Sequence, residues 1–215
     1  MSVNDPRAAS TPTPLYTPGI DVSRYQGPNI DWPAVAASGI KFAIIRATQG
    51  ASYVDPMLAK NHAGAKAAGL QIGLYHVFTP QAGSANASHF IEIAKGYPTQ
   101  LPNWLDFEPG AITEELEPKA ISVLECIAQE LGGCAVYASP STIQAYMTDP
   151  AWLLYPLAVA HYTDAPQPNF APWPSWLFWQ HSQSGSVPGI VGNIDLDRWN
   201  GSPEEFETWI TAQTI

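Results

Sequence analysis

Short, nearly continuous apolar runs alternate along this chain with segments whose apolar residues recur at helical spacing. The runs are rich in β-branched and aromatic residues, which is typical of strands covered on both faces. The predicted strands are residues 19–23, 42–48, 72–78, 104–108, 134–138, 157–162, 177–181 and 194–197.

Helices are predicted between most of the early strands, and one more near the end of the chain. Asp31 is a suitable N-cap before Pro33, and Gly69 and Gly132 stand where a helix C-terminus favours glycine. After Tyr155 the helical pattern stops, and loops rich in Pro, Trp and Gly join the last strands. The order therefore predicts an α/β fold, a modified TIM-like barrel of (βα)5β3 form, with helices missing around the last three strands. The predicted helices are residues 32–38, 56–68, 84–95, 118–131, 141–147 and 203–212.

The composition narrows the classes of partner. The 215 residues include 19 acidic and 9 basic side chains, so no basic surface is available to meet the phosphates of nucleic acid. No apolar run is long enough to span a bilayer, which argues against membrane insertion. Residues 1–18 are rich in Ser, Thr and Pro and lack the apolar core of a conventional signal peptide. We expect residues 1–18 to be a flexible leader and residues 19–215 to form a single barrel domain.

Two carboxylates at the end of the fourth predicted strand are the most informative local feature. Strand residues alternate between faces, so Asp106 and Glu108 point the same way while Phe107 points the other way and Pro109 ends the strand. Two crowded acids are expected to have separated pKa values, one raised and the other low, which provides both an acid and a base. The alternative is a polar strand end that caps the next helix.

Other strand ends carry further acids, and barrel active sites lie at the C-terminal ends of strands. Asp21 ends the first strand and Asp195 lies on the last, and these strands become neighbours when a barrel closes. Together with aromatic walls, the acids predict a polar cleft for an uncharged or weakly charged polyol. Core packing is the alternative for each aromatic residue. The candidate binding residues are Tyr75, Phe78, Tyr137, Tyr162, Trp179 and Arg46.

The cysteine and histidine patterns give no indication of a metal site or cofactor. Cys126 and Cys134 flank a Gly-Gly turn, and we expect two buried thiols rather than a disulfide. The histidines are scattered, with no His-x-x-x-His or cysteine cluster.

Several motifs, taken in order, resemble one known family. Segment 19–27 (GIDVSRYQG) is similar to the opening Asp-Val-Ser-x-x-Gln-Gly of glycoside hydrolase family 25, the Chalaropsis-type lysozymes, and 105–109 (LDFEP) is similar to its Asp-x-Glu strand. Each motif is weak alone, but their order and spacing over residues 19–199 are specific. The remaining matches are 73–76 (GLYH), 137–140 (YASP), 160–162 (AHY), 179–182 (WQHS) and 192–197 (GNIDLD).

The resemblance implies an N-acetylmuramidase that cleaves the β-1,4 bond between N-acetylmuramic acid and N-acetylglucosamine in peptidoglycan. It implies Glu108 as general acid with a raised pKa, Asp106 as its partner carboxylate that stays ionised, and Asp21 and Asp195 as further acids of the site. Asp106 is either a nucleophile, an electrostatic stabiliser or a group that orients the substrate N-acetyl group. The chain is expected to act as a monomer on glycan strands outside the cell, delivered as a phage endolysin or by another non-classical route.

Some roles stay open at this point. Asp21 either takes part directly or hydrogen-bonds Arg46 or Tyr75, and Asp195 either holds a substrate amide or water or caps a turn. Asp197 is expected to be structural, paired with Arg198 or Arg24. The competing functions are a catalytically silent glycan-binding barrel and a chitinase-like glycosidase, although the chitinase pattern expects more acids before Asp106.

Overall fold

A closed β-barrel forms the centre of the protein. The computed structural model describes residues 15–109 and 115–213. Within these residues the sheet order is β1-β9-β8-β7-β6-β5-β4-β2-β3, and pairing of β1 with β2 closes the barrel. The strands are Thr17–Val22 (β1), Phe42–Gln49 (β2), Tyr53–Val54 (β3), Gln71–Val77 (β4), Asn103–Asp106 (β5), Cys134–Ala138 (β6), Leu157–Ala160 (β7), Phe178–Gly185 (β8) and Ile194–Trp199 (β9).

Strand direction follows the predicted topology. Neighbouring strands are parallel from β1 through β2, β4, β5, β6 and β7 to β8, and β9 runs antiparallel to both β8 and β1. The eight predicted strands and the (βα)5β3 class are confirmed. The short β3, which pairs with the end of β2, was not predicted, because a two-residue strand leaves no periodic signal. Strand β1 begins at Thr17, two residues before the expected domain boundary, and residues 1–14 of the expected leader lie outside the described residues.

Helices pack around the first five barrel strands and across one end of the barrel. Asp31 caps α1 through the amide of Ala34, as predicted, and α4 ends at Gly132 in the left-handed region. No helix in the described ranges is long and apolar enough to cross a membrane. The helices are Trp32–Ala37 (α1), Leu58–Ala67 (α2), Ala85–Ala94 (α3), Leu116–Leu131 (α4), Pro140–Tyr146 (α5) and Pro203–Gln213 (α6).

The barrel interior is filled by aromatic residues at the end opposite the strand C-termini. The Phe42 ring lies 5.4 Å from Phe178 and 5.7 Å from Phe206 of α6, so α6 closes this end of the barrel. Gly19 is required here, because a Cβ at that position would lie 2.2 Å from the Phe42 ring. The filled lower half leaves the opposite end of the barrel open, and a cluster of polar side chains lies there.

The acid-bearing segment is held from behind by an aromatic column. Phe107 is fully buried between the barrel and the helices, with its ring 5.7 Å from Phe78 and 5.1 Å from Trp152. The indole nitrogen of Trp152 donates to Glu117 Oε1 at 2.8 Å, and the amide of Asp149 donates to the same oxygen at 2.7 Å. These contacts fix the position of the Phe107 side chain, which lies between Asp106 and Glu108 in the sequence.

Replacing Glu117 should weaken this support in a pH-dependent way. Desolvation of Glu117 is outweighed by hydrogen bonds from Asp149, Trp152 and Thr148, so its pKa is lowered. A carboxylate with a lowered folded pKa stabilises the protein above its unfolded pKa of about 4.3, and this contribution disappears as pH falls through the folded value. We expect Glu117→Gln to cost about 1 kcal/mol at pH 7, a fall in Tm of about 2–4 °C, and much less at pH 3. Thermal unfolding at both pH values checks this, with Glu125→Gln on the same helix as control; an equal loss at both values would contradict it.

The two cysteines differ in environment. Cys134 is buried at the start of β6, whereas Cys126 on α4 is exposed, and both are free thiols. The expectation of two buried thiols is therefore wrong for Cys126. It sits on the solvent side of α4, whose apolar face is formed by residues such as Leu124 and Ile127.

Candidate active site

A polar cleft of about 440 Å³ opens at the C-terminal ends of the parallel strands. It brings together all four acids predicted for the site, whose segments are separated along the chain. Its lining residues are Asp21, Tyr75, Trp104, Asp106, Glu108, Tyr137, Gln180 and Asp195.

Strand register places the acids in two pairs. Asp21 on β1 lies directly opposite Asp195 on the antiparallel β9, so both side chains leave the same face of the sheet. Asp106 is the last residue of β5, and the extended chain continues beyond it because the Phe107 amide donates to the Tyr137 carbonyl at 2.9 Å. The alternation that puts Asp106 in the cleft therefore also puts Glu108 there.

A hydrogen-bonded relay connects the acids to the cleft wall. Gln180 Nε2 donates to Asp21 Oδ2 at 2.6 Å, while Gln180 Oε1 accepts from the hydroxyls of Tyr137 at 2.9 Å and Tyr162 at 2.5 Å. Asp21 also shares a hydrogen bond with Asp195. The partners of Asp21 are thus Gln180 and Asp195, where the sequence suggested Arg46 or Tyr75. Gln180 was not among the predicted site residues, although it follows Trp179, which faces outward, and therefore faces the interior.

Burial and crowding raise the pKa values of all four acids. Desolvation followed by the charge of Asp195 raises the pKa of Asp21 well above its usual value, and desolvation followed by the charges of Glu108 and Asp21 does the same for Asp106. For Glu108 the causes are desolvation and then Asp195, and the pKa of Asp195 is raised by desolvation. The expectation that Asp106 keeps a low pKa beside a raised Glu108 is not met. Four carboxyls this close together do not all ionise independently.

Arg46 on β2 lies opposite Tyr75 of β4, beside the residues that line the cleft. Its charge lowers the pKa of Asp106. This effect opposes the rise in that pKa caused by desolvation and by the charges of Glu108 and Asp21. Its Nη2 donates to Gln49 Oε1 at 2.5 Å, and its Nε is buried without a hydrogen-bond partner among the described residues.

Aromatic rings form the walls of the cleft. Trp104 and Tyr137 are stacked with ring centroids 5.8 Å apart and planes inclined by 13°, and Tyr75 lies beside them in the lining. Trp104 was not among the predicted cleft residues, although it lies on the segment that carries Asp106 and Glu108. Residues 104, 106 and 108 have the same parity along the strand, so they share a face. Tyr162 stands at the edge of the cleft, with 46% of its surface exposed.

Two predicted binding residues lie outside the cleft. Phe78 packs against Phe107 in the layer between barrel and helices and is 4% exposed. Trp179 is 1% exposed on the outer side of β8, where its indole nitrogen donates to the His161 carbonyl at 2.7 Å. Side chains alternate between the two faces of a strand, and the neighbours of these two residues face the barrel interior. Phe78 and Trp179 therefore face outward. The prediction that they line the cleft is therefore wrong.

The sequence matches a family model described as glycosyl hydrolases family 25 over residues 20–190. The chain belongs to this family. Among relatives, the uncharacterized protein YegX of Escherichia coli (strain K12) is 35% identical over 202 residues, covering 89% of this chain and 72% of that protein. Lysozyme M1 of Streptomyces globisporus is 30% identical over 200 residues, covering 86% and 68%. The crystal structure of the bacterial lysozyme from Streptomyces coelicolor matches with a TM-score of 0.80 at 27% identity, covering 92% of this chain and 98% of that one.

Family 25 membership confirms the resemblance inferred from the motifs and identifies the chain as a glycoside hydrolase. Hydrolysis of a glycosidic bond needs a proton donor for the leaving oxygen and a second carboxyl that stabilises the positive charge developing on the sugar. The cleft supplies carboxyls for both tasks. Among residues 15–109 and 115–213, no group of three or more His, Cys, Asp or Glu is arranged to hold a metal ion.

Asp197 lies inside the barrel of this family 25 chain and has no charged partner in the part of the chain that the structure describes. It is 1% exposed, and neither carboxyl oxygen has a hydrogen-bond partner among the described residues. The expected partners lie elsewhere, since Arg198 stacks on Tyr16 and Trp179 and Arg24 stacks on Tyr25. The predicted ion pair is therefore wrong. Desolvation, followed by the charges of Asp21 and Asp195, raises the pKa of Asp197 well above its usual value.

Removing this charge should stabilise the protein at neutral pH only. A carboxyl with a raised folded pKa contributes most to stability below its unfolded pKa of about 3.9, and this contribution is lost as pH rises through the folded value. We expect Asp197→Asn to raise Tm at pH 7 by at least about 2–4 °C, equivalent to about 1 kcal/mol, and to leave Tm unchanged at pH 3. Calorimetry at both pH values tests this, with the exposed Asp164→Asn as control. A lower Tm at pH 7 would show that Asp197 has a stabilising partner.

Proposed function

We propose that this enzyme is a peptidoglycan hydrolase that cleaves the β-1,4 bond between N-acetylmuramic acid and N-acetylglucosamine. The observation that carries the proposal is the cluster of Asp21, Asp106, Glu108 and Asp195 at the open end of the barrel. Relatives named Lysozyme M1 and N,O-diacetylmuramidase support the choice of substrate.

Glu108 is the proposed general acid. It stands at the cleft mouth, exposed enough to meet a leaving oxygen, and its raised pKa favours the protonated form needed for donation. Glu108 transfers its proton to the glycosidic oxygen as the bond from C1 to that oxygen breaks and its electron pair moves to the leaving sugar.

Asp106 is the proposed partner for the positive charge at C1. Its Oδ1 is buried and has no partner among the described residues, so a lone pair is available in the cleft. Either Asp106 bonds to C1 directly, or it holds the substrate acetamido group while that oxygen bonds to C1. In both cases water then attacks C1 and gives its proton to the Glu108 carboxylate, which restores the acid.

Asp21 and Asp195 are proposed to position the substrate acetamido group or the attacking water. The shared hydrogen bond and the support from Gln180 hold these two carboxyls in a fixed arrangement. The stacked Trp104 and Tyr137 offer flat apolar surfaces to sugar rings. All four acids come from one chain, which supports a monomer acting on bacterial cell walls without a cofactor.

Reducing-end release from purified peptidoglycan and from chitin oligomers tests the proposal. We expect release from peptidoglycan and little from chitin. Equal release from both would favour a chitinase-like glycosidase, and tight binding to wall fragments without release would favour a silent glycan-binding barrel.

A further inference from the structure

A stack of arginine and tyrosine side chains lies beside the acidic cleft. It consists of Arg24, Tyr25, Tyr53 and Arg46, which we call the arginine–tyrosine stack. The Arg24 guanidinium carbon lies 5.0 Å from the Tyr25 ring centroid and 5.6 Å from that of Tyr53. The Arg46 guanidinium carbon lies 5.3 Å from the Tyr53 centroid. Two cations are thus held on the faces of two rings.

The backbone beneath the stack is well fixed. Ser23 and Gln26 form a capping box around a single helical turn that contains Arg24. The carboxylate of Asp55 accepts from the Arg24 amide at 3.1 Å and from the Met57 amide at 2.9 Å, which ties this turn to the segment after β3. The stack therefore does not depend on a mobile loop to bring its cations together.

The cations of the stack have no carboxylate partner among the described residues. Across residues 15–109 and 115–213, no carboxylate oxygen lies within 4 Å of either guanidinium, although the sequence has 19 acids to 9 bases. Arg24 and Tyr25 are exposed, and the Nε of Arg46 is buried without a partner. Planar guanidinium groups with free donors are suited to bind carboxylates from another molecule.

The stack is continuous with the catalytic cleft. Arg46 packs on the Tyr53 ring and lies opposite Tyr75 in the register of β2 and β4, and Tyr75 lines the cleft. A saccharide bound at Asp106 therefore brings its substituents close to the stack.

We propose that the arginine–tyrosine stack binds a carboxylate carried by the muramic acid residue of the substrate. This inference rests on the proposed function and names a part of the substrate that the cleft itself does not recognise. The carboxylate belongs either to the lactyl group of a glycan without peptides or to the stem peptide attached to that group. A polymer of N-acetylglucosamine has neither, so the stack favours peptidoglycan over chitin.

The inference is tested by combining a change in the substrate carboxylate with the replacement of Arg24. Kinetics are measured with soluble peptidoglycan oligomers that carry stem peptides, and with the same oligomers after methyl esterification of their carboxylates. For the wild type we expect esterification to raise KM about tenfold, because the ester can no longer form one charge-assisted hydrogen bond with the guanidinium. Arg24→Gln should raise KM about tenfold on the carboxylate substrate, leave kcat unchanged, and be insensitive to esterification. The inference is overturned if Arg24→Gln raises KM equally on both substrates or on neither.

Two further variants separate a binding role from general charge and folding effects. Arg24→Lys keeps the charge but not the planar group, and we expect it to recover part of the KM loss. Lys66→Gln removes a positive charge from the exposed face of α2 and should behave as the wild type. Oligomers stripped of peptides identify the source: a persistent effect of Arg24→Gln assigns the lactyl carboxylate, and its loss assigns the stem peptide.

Failure of the proposed function is distinguishable from failure of this inference. If the wild type releases no reducing ends from any oligomer, the proposed function fails. Calorimetric Kd values for the same carboxylate and ester fragments still test the stack. A Kd that esterification does not change would overturn the inference.

Discussion

Glu108→Gln should lower kcat on peptidoglycan by at least about 10³-fold while the protein stays folded. General acid catalysis contributes about 10²–10⁴-fold, and glutamine keeps the shape of the side chain but has no proton to donate to the leaving oxygen. Glu108 is exposed at the cleft mouth, and its removal relieves repulsion by Asp195, so Tm should stay equal or rise slightly.

Turbidity of a Gram-positive cell-wall suspension and thermal unfolding together measure this effect. Glu92→Gln, which removes an exposed acid from α3, is the matched control and should lyse walls as the wild type does. Lysis by Glu108→Gln at the control rate would remove Glu108 from the role of donor.

Asp106→Asn should lower kcat by about 10²–10³-fold, the usual size of an effect on electrostatic stabilisation of a transition state. In the proposed mechanism the buried carboxyl faces the reacting carbon, and an amide of the same shape can neither bond to C1 as a nucleophile nor carry negative charge. Because Asp106 and Glu108 act on the same step, the double variant should lose little more than Glu108→Gln alone.

The role of Asp106 can be resolved with two probes. If Asp106 is the nucleophile, intact mass spectrometry of protein treated with a fluorosugar substrate should show a sugar adduct that maps to Asp106. If Asp106 orients the acetamido group, a thiazoline analogue of the cyclised intermediate should inhibit the wild type strongly and Asp106→Asn weakly. A wild-type rate for Asp106→Asn would contradict both roles.

The sequence was sufficient to predict the fold because each element carries its own signal. Buried parallel strands are continuous apolar runs, and glycines such as Gly132 mark where helices end. The acids were also predictable, since strand parity puts Asp106 and Glu108 on one face and barrel closure brings Asp21 near Asp195.

The wrong site predictions concern aromatic residues near strand ends, because side chains there alternate between the cleft and the surrounding helices. Phe78 and Trp179 face the helices, whereas Trp104 and Gln180 face the cleft. Trp104 lies two residues before Asp106, so its side chain leaves the same face of the strand and lines the cleft.

The electrostatics of the site could not be predicted from one strand alone. The raised pKa of Asp106 depends partly on Asp21, and that of Glu108 depends partly on Asp195, residues distant in sequence. The unpaired state of Asp197 depends on where Arg24 and Arg198 stack, which only the folded chain determines.

The identity of the new reducing end tests the central claim most directly. Purified peptidoglycan is digested, the products are reduced with borohydride, and mass spectrometry identifies the reduced sugar. Cleavage of the proposed bond with Glu108 as acid predicts muramitol at the new ends with the wild type and none with Glu108→Gln. Glucosaminitol, or muramitol formed equally by the variant, would contradict the account.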